Sequence, residues 1–277
     1  SLEPLSVLVS DFTPAPFKVR TSLAGDRFAP GDALNLETTA SLHSGGPYAE
    51  ARTRQTGILR AREFESPAEA ARGFSFSNDD EDGQREQQLF SLEGALSKDG
   101  ALENRVNLSD SPILYGSLSV ESSVRDERGK AIAATASAAW AGRDRYVGLK
   151  LAQWLMQEGE PATVQVLVAD AMGQPQVGSA VEVRIEVEEV TAARVKGAGN
   201  AYLTEYNREW KPAGSCALVS AAEAVPCRFT PERPGSYRIT ARIQDTKQRP
   251  HESRLSTWAE GRGRVLFAGE QDYSLKL

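Results

Sequence analysis

The two cysteines are the residues whose spacing most directly indicates chemistry. Cys216 and Cys227 are the only cysteines among the 277 residues, and each is followed by the apolar and polar alternation of a half-buried strand. Two cysteines that flank a short loop between strands favour one disulfide across a hairpin, and therefore an oxidising compartment. The alternative is a pair of inert buried thiols. Neither cysteine has the sequence setting of a nucleophile, because both histidines are distant in sequence.

A run of acidic residues is the second candidate site. Asn78, Asp80 and Asp82 place oxygen atoms at alternate positions, and Gly83 is the sixth residue, as in the first half of a calcium-binding loop. The twelfth position, where a bidentate Glu would close the calcium shell, is Leu89. A solvated hairpin loop that keeps an edge strand from pairing is the competing interpretation. We favour that loop, and we predict no cofactor.

Three aromatic residues are the third candidate, a surface for a partner. Tyr202, Tyr206 and Trp210 recur at four-residue spacing within a less regular stretch, residues 192–212. If the three rings are exposed and coplanar, they could stack on sugar rings, as in an adhesin or a carbohydrate-binding module. If they are covered, they pack against a neighbouring domain or serve as strand residues. We favour packing over sugar binding.

Nothing in the sequence indicates an active site. His43 and His251 are the only histidines, and we interpret both as loop residues. The sequence contains no GxSxG motif, P-loop or Rossmann glycine pattern. The net charge of −6 argues against nucleic acid as a partner, because nucleic-acid recognition normally needs a basic surface. No apolar run approaches the roughly 18 residues of a membrane span. The sequence therefore predicts a protein that is not an enzyme.

The elements that must position these residues are strands. Apolar residues fall at every second position in most of seven segments, so that one face of each is buried and the other is solvated. The segments are Phe17–Leu23, Ala33–Leu42, Ile113–Val124, Tyr146–Leu155, Ala162–Asp170, Ala180–Val190 and Ser236–Asp245. Turn formers such as Ala29–Asp32 and Arg233–Gly235 lie between them. The only plausible helical piece is the short stretch Ser66–Ala71.

Three aspartates stand at the ends of predicted strands. Asp126 and Asp170 begin the pattern Asp-x-x-Gly, whereas the same position after Asp245 lacks the glycine. An aspartate at the first position of a type I turn accepts hydrogen bonds from the following amides, and glycine three residues later tolerates a positive φ. We therefore interpret each as the turn of a hairpin that joins two strands of one sheet, and not as a catalytic carboxylate.

A polar break at Ala141–Asp144 suggests a domain boundary, because the chain then restarts with an apolar strand at Tyr146. We predict two domains, residues 1–143 and residues 144–277. The fold class that the strands indicate is all-β, with two tandem antiparallel β-sandwiches of the immunoglobulin or fibronectin kind. The first residue is Ser1 and not Met, so we expect a piece cut from a longer precursor, with any targeting segment outside it.

Four segments together resemble the bacterial alpha-2-macroglobulins. Val9–Val19, with a Pro-Gly-Asp turn after it, resembles the opening of a macroglobulin-like domain, and Tyr146–Gly178 resembles the start of the next one. The stretch Cys227–Asp245, with Cys216 ahead of it, is similar to the disulfide-linked hairpin of that domain. Ser256–Phe267 resembles the strand that leads to the domain with the bait region. The resemblance spans nearly the whole chain.

The resemblance implies seven-stranded antiparallel sandwiches within a large periplasmic protein, which is commonly lipid-anchored to the inner membrane. The intact family member inhibits proteases: it offers a bait segment, and after cleavage it changes conformation and encloses the attacker. The resemblance thus implies a non-catalytic framework fragment in envelope defence. Its expected partners are the neighbouring domains of the same protein, the target proteases of the intact protein, and envelope partner proteins.

Many members of this family also carry a reactive thioester. Its motif is Cys-Gly-Glu-Gln, in which the cysteine thiol condenses with the glutamine side chain. The sequence Ala268–Gln271 resembles this motif, but alanine stands where the thiol is required. We therefore expect no thioester in this chain and interpret the match as coincidental.

Overall fold

The computed structural model describes residues 16–64, 68–77, 84–153, 155–196 and 202–261. In these ranges the chain forms sixteen β-strands and one 3-10 helix, Glu69–Ala71. The predicted all-β character is confirmed, and the helix lies within the one stretch predicted to be helical. Within the same ranges, no helix has the length and apolar character needed to cross a membrane.

The chain divides into two compact units. Unit 1 comprises Ser1–Arg62 and Gln84–Gly142, and unit 2 comprises Glu63–Gly83 and Arg143–Leu277. The sequence places the whole of residues 1–143 in one domain, whereas in the structure the segment 63–83 belongs to the second unit. Backbone hydrogen bonds between this segment and two strands of unit 2 are the physical reason for the difference.

Unit 1 is built from the first eight strands. They are β1 (Phe17–Leu23), β2 (Arg27–Phe28), β3 (Ala33–Leu42), β4 (Arg52–Ala61), β5 (Glu86–Ala95), β6 (Ala101–Asn107), β7 (Tyr115–Arg125) and β8 (Ala131–Ala141). One sheet has the strand order β1-β3-β6, and the other has the order β2-β8-β7-β4-β5. All the pairs are antiparallel except that of the two-residue strand β2 with β8.

Unit 2 contains the other eight strands. They are β9 (Tyr146–Leu151), β10 (Met156–Gln157), β11 (Ala162–Ala169), β12 (Ala180–Lys196), β13 (Tyr202–Val219), β14 (Val225–Phe229), β15 (Gly235–Gln244) and β16 (Pro250–Glu260). Its sheets have the orders β14-β11-β9 and β10-β16-β15-β12-β13. Here too the only parallel pair among the described strands involves the two-residue strand, β10 with β16.

The two units repeat one topology. If eight is added to each strand number of unit 1, its two strand orders become those of unit 2. Each unit has seven strands of five or more residues and one strand of two residues that pairs with the last strand of the unit. The predicted fold class, two tandem antiparallel β-sandwiches, is therefore confirmed.

Alternation along the strands builds the core of unit 1. In β3 the even-numbered residues from Leu34 to Ala40 are buried, while Asn35 and Glu37 are exposed. The same pattern recurs in β7, where Leu118 and Val120 are fully buried. Burial of each such aliphatic side chain stabilises the sandwich by roughly 1.5–3 kcal/mol.

A polar layer interrupts this core. Thr38, Gln55 and Ser122 have no exposed surface. The amide of Gln55 accepts a hydrogen bond from Asn104 Nδ2 and donates one to Thr38 Oγ1, and Thr38 donates in turn to Ser122 Oγ, each at 2.7 Å. Because each buried polar group has a partner, the cost of removing it from water is largely offset.

The three aspartate turns share one set of hydrogen bonds. Oδ1 of Asp126, Asp170 and Asp245 accepts from the backbone N–H groups two and four residues further on, at 2.7–3.0 Å. The turn interpretation is confirmed. Two of the turns join paired strands, β7 with β8 and β15 with β16. The hairpin prediction is wrong for Asp170, because after this turn the chain crosses from the three-stranded to the five-stranded sheet.

Side chains of β16, and not a strand ladder, bridge the gap to β9 in the opposite sheet. Nδ1 of His251 accepts the Val147 N–H at 3.1 Å, and Oγ of Ser253 donates to the Val147 carbonyl at 2.6 Å. Both side chains are buried. The prediction that His251 is a loop residue is thus wrong, since its ring satisfies a backbone group inside the sandwich. His43 does lie in a turn, directly after β3.

Two residues of the segment 63–83 bond to this same side of unit 2. Ser75 exchanges two backbone hydrogen bonds with Leu149 of β9, both of 2.9 Å, and the Ser77 carbonyl accepts the N–H of Arg254 in β16 at 2.9 Å. The segment therefore bonds to a strand from each of the two sheets. This role follows from contacts between residues far apart in sequence, which the strand pattern of residues 1–143 does not indicate.

Unit 2 should become less stable as the pH falls below about 6.5. Burial, with a smaller contribution from the charge of Arg143, lowers the pKa of His251 from 6.5 to about 3. The unfolded chain therefore takes up a proton that the folded chain excludes, so the free energy of unfolding falls by up to about 1.4 kcal/mol per pH unit through this window. When urea unfolding is measured between pH 7 and pH 4, the free energy of unfolding should change less steeply with pH for H251N than for the wild type.

The matched control for this measurement is H43N, at the exposed histidine in the turn after β3. For H43N the free energy of unfolding should change with pH as steeply as for the wild type. Equal slopes for H251N and the wild type would contradict the assignment of this pH dependence to the buried ring.

Gln248 provides a second prediction, because it occupies the position that is glycine in the other two aspartate turns. Its φ is +61°, against +84° at Gly129 and +77° at Gly173. A left-handed backbone costs a non-glycine residue roughly 1 kcal/mol, so Q248G should stabilise unit 2 by up to that amount after the entropy of the added glycine is subtracted. G173A should destabilise the same unit by a similar amount. Midpoints of urea unfolding measure both, and a less stable Q248G protein would contradict the strain.

Candidate functional site

Two of the candidate sites lie outside the described residues. The proposed calcium ligands Asn78, Asp80 and Asp82 fall there, as does the thioester-like sequence Ala268–Gln271. In the part of the chain that the structure describes, no three His, Cys, Asp or Glu side chains are grouped so that they could hold a metal ion.

The two cysteines form a disulfide. Cys216 lies in β13 and Cys227 in β14, with 5.9 Å between their Cα atoms. The predicted hairpin is wrong in one respect: β13 ends the five-stranded sheet and β14 ends the three-stranded sheet, so the bond joins two sheets and not two paired strands. Cys216 lies opposite the buried Val183 in the ladder, and its side chain therefore faces the interior. Cys227 has no exposed surface.

Next to this bond, the hairpin of β12 and β13 extends beyond the sheet. The ladder between β12 and β15 ends where Val187 lies opposite Tyr237. From there β12 pairs with β13 alone, as far as Lys196 opposite Tyr202. We call this two-stranded part, residues 188–196 and 202–210, the ribbon.

The ribbon contains the three aromatic residues of the predicted partner surface. Spacing of four residues in a strand puts Tyr206 and Trp210 on one face of β13. Tyr206 is 55% exposed. The side chain of Tyr202 lies outside the part that the structure describes. Within the stretch predicted to be less regular, residues 192–196 belong to β12 and residues 202–212 to β13, because the ladder between these two strands supplies the order that the composition does not indicate.

Trp210 is not an open platform. The guanidinium of Arg238, from β15, lies 4.5 Å from the centre of the indole ring and covers one of its faces. Arg238 in turn donates from Nε to the carboxylate of Glu186 at 2.6 Å. This hydrogen bond is the largest cause of the lowered pKa of Glu186. Arg238 therefore packs on Trp210 while it neutralises a carboxylate. This arrangement fixes the end of the ribbon nearest the five-stranded sheet, which we call the base of the ribbon.

Beyond Trp210, the described side chains of the ribbon include two that are less covered by neighbouring residues. Val190 and Tyr206 are large apolar side chains with exposures of 42% and 55%. They lie on the same face, because Val190 is opposite Arg208 and Ala192 is opposite Tyr206. One ion pair crosses this face, from Arg208 to Glu188 at 3.3 Å. The described side chains of this face therefore combine an exposed apolar area with one ion pair, which suits contact with a partner.

The sequence matches no protein-family model and no curated protein sequence. The structure, however, is similar to those of bacterial alpha-2-macroglobulins. It matches the native Escherichia coli protein with a TM-score of 0.55, 17% identity and 90% of this chain covered. It matches the Salmonella protein, in the Y1175G mutant, with a TM-score of 0.57, 18% identity and 90% coverage. It also matches the Escherichia coli protein activated by porcine elastase, with a TM-score of 0.56, 18% identity and 92% coverage.

These matches define the class of fold. The two units are macroglobulin-like β-sandwiches in tandem, and the solved structures that resemble them are bacterial alpha-2-macroglobulins. The chain corresponds to 16% of the length of the native Escherichia coli protein and 17% of that of the Salmonella protein. It therefore has the fold of one part of such a protein.

Removal of the disulfide should destabilise unit 2 alone. The bond closes a loop with a sequence separation of 11 residues, for which the chain-entropy model gives about 3 kcal/mol. The double variant C216A/C227A should lower the urea midpoint of the unit 2 transition and leave that of unit 1 unchanged. S215A, at the exposed neighbouring position in β13, is the control. An unchanged midpoint for the double variant would contradict a stabilising role for the bond.

Proposed function

We propose that this chain is a non-catalytic framework segment of a protease-trapping alpha-2-macroglobulin. The observation that carries the proposal is the tandem repeat of one sandwich topology, which over 90% of the chain resembles a part of the Escherichia coli protein. One of the similar structures is that protein after activation by porcine elastase, and this likeness supports the proposed action on proteases.

The physical role of the segment is to move as rigid bodies. A trap that encloses a protease after one cleavage must transmit a local change over a long distance, and closed sandwiches do this without changing their own shape. Unit 2 supports this role. A disulfide closes one side of its sandwich, and His251, Ser253 and the segment 63–83 close the other.

We further propose that the protein acts in the periplasm, in a parent that is lipid-anchored to the inner membrane. The support is the disulfide between Cys216 and Cys227, since such bonds form and persist in oxidising compartments. Its partners would be the other domains of the parent, the proteases that it traps, and envelope proteins that take part in defence. The half-covered ring of Trp210 disfavours the alternative, a sugar-binding module, which needs open aromatic faces.

The proposal is tested on the parent protein with trypsin or elastase. After mixing, cleavage of a large protein substrate should be largely abolished, while cleavage of a small chromogenic peptide continues, because an enclosing trap excludes substrates by size. The 277-residue chain alone should inhibit neither reaction. Inhibition by the chain alone, equal loss of both activities with the parent, or no inhibition by the parent would overturn the proposal.

A further inference from the structure

We infer that the ribbon docks on a further β-sandwich of the same polypeptide, the one that comes after unit 2, and that it contacts the first strand of that sandwich. The inference rests on the proposed function, under which the chain is one part of a longer protein. Its basis is the internal repeat, which allows the connection between the fourth and fifth strands of each unit to be compared.

The two connections occupy equivalent positions. In unit 1, Arg54 lies opposite Ser123, three residues before the turn aspartate Asp126, and in unit 2 Glu182 lies opposite Arg242, three residues before Asp245. The ladder to the fifth strand then shifts register at the same place in both units. The shift comes after Gly57 in β4 and after Ile185 in β12, each three residues further along.

Beyond this equivalent position the connections of the two units differ. In unit 1 the fourth strand ends at Ala61, and the segment 63–83 leaves the unit. In unit 2 the fourth and fifth strands stay paired and form the ribbon. The ribbon is therefore the counterpart, in the second repeat, of a segment whose structural role is visible in the first.

That role is to complete the next sandwich. The segment 63–83 is part of unit 2, where Ser75 bonds to Leu149 of β9, the first strand of that unit. Phe76, next to it, is only 7% exposed, and its ring lies against Gly148, where a Cβ atom would come within 2.6 Å of it. A backbone bridge and a buried aromatic ring thus seat the segment on the first strand.

The ribbon offers the same two means of binding. Among the described strands, none pairs with β12 beyond Val187 other than β13, and none pairs with the outer edge of β13. Unpaired backbone edges are ready to accept another strand. Tyr206 and Val190 supply the exposed apolar side chains. The ribbon therefore has the aromatic ring and the backbone groups that the segment 63–83 uses.

The position of the ribbon also fits this occupant. In unit 1, the N–H of Arg62 donates to the Tyr115 carbonyl, and Tyr115 lies opposite Ala141, the last residue of β8, so the segment departs beside the point where the chain leaves the unit. In unit 2 the last strand also lies near the base of the ribbon. Ala259 lies opposite Gly235, and a Cβ atom added at Gly235 would lie 3.9 Å from the carbonyl oxygen of Glu188. A sandwich that continues the chain would begin beside the ribbon.

The test compares the 277-residue chain with a longer chain that continues through the next sandwich of the parent. Hydrogen exchange of the backbone amides in residues 188–196 and 202–210 should slow by roughly tenfold or more in the longer chain. The double variant V190D/Y206D should remove most of this protection. M172D, at another exposed apolar residue of unit 2, in the turn after β11, should keep it.

Folding of the variants is checked in the 277-residue chain, where both should retain the wild-type urea midpoint because these side chains are exposed. Equal exchange of the ribbon in the two wild-type chains would overturn the inference. So would protection that appears in the 277-residue chain at high concentration, since a second copy would then be the occupant. Protease trapping by the parent is measured separately. If the parent traps proteases but the ribbon is not protected from exchange, the docking is overturned and the proposed function stands. If the ribbon is protected but the parent does not trap proteases, the proposed function is overturned and the docking stands.

Discussion

In each sandwich the described edge strands of the two sheets are not paired with each other, so the sandwich has two sides without a ladder of hydrogen bonds. Other contacts must close these two sides. An open side would admit water to the aliphatic layer and leave backbone groups without partners. In unit 2 one side is closed covalently, between Cys216 and Cys227. On the other side, the β9 backbone is bonded by side chains of β16 and by Ser75. Unit 1 uses a hydroxyl at the corresponding gap, where Thr21 of β1 donates to the Ala134 carbonyl of β8 at 3.0 Å.

The need to close these sides can be met by the connection between the fourth and fifth strands, which differs between the two units although their topology is the same. The sheets fix the register of the fourth strand, down to the shift after Gly57 and after Ile185, but they do not restrict the connection between that strand and the fifth. The entropy of closing a loop rises slowly with its length, so a long connection at this position adds little cost. In one unit the connection closes the side of another sandwich, and in the other it forms a paired ribbon.

Much of the strand layout could be predicted from the sequence. The bounds of β1 and β3 are those predicted, because alternation of buried and more exposed residues reports a half-buried strand directly. The bounds of β11 differ from the prediction by one residue, although its last four residues are all buried. Strand β13 could not be predicted in the same way. It contains Pro212 and Gly214 and many charged residues, and it is a strand because β12 supplies a continuous ladder to it.

The candidate site shows the same limit more sharply. Spacing alone puts Tyr206 and Trp210 on one face of a strand, but their exposure is set by β15, which brings Arg238 over Trp210 and leaves Tyr206 uncovered. The pairing of the cysteines was likewise within reach of the sequence, whereas the fact that it joins two sheets was not. Sheet membership depends on partners far along the chain. An apolar surface that stays exposed beside its local partners is therefore the best guide to contacts outside this chain, and among the described side chains of the ribbon the large apolar ones are Val190 and Tyr206.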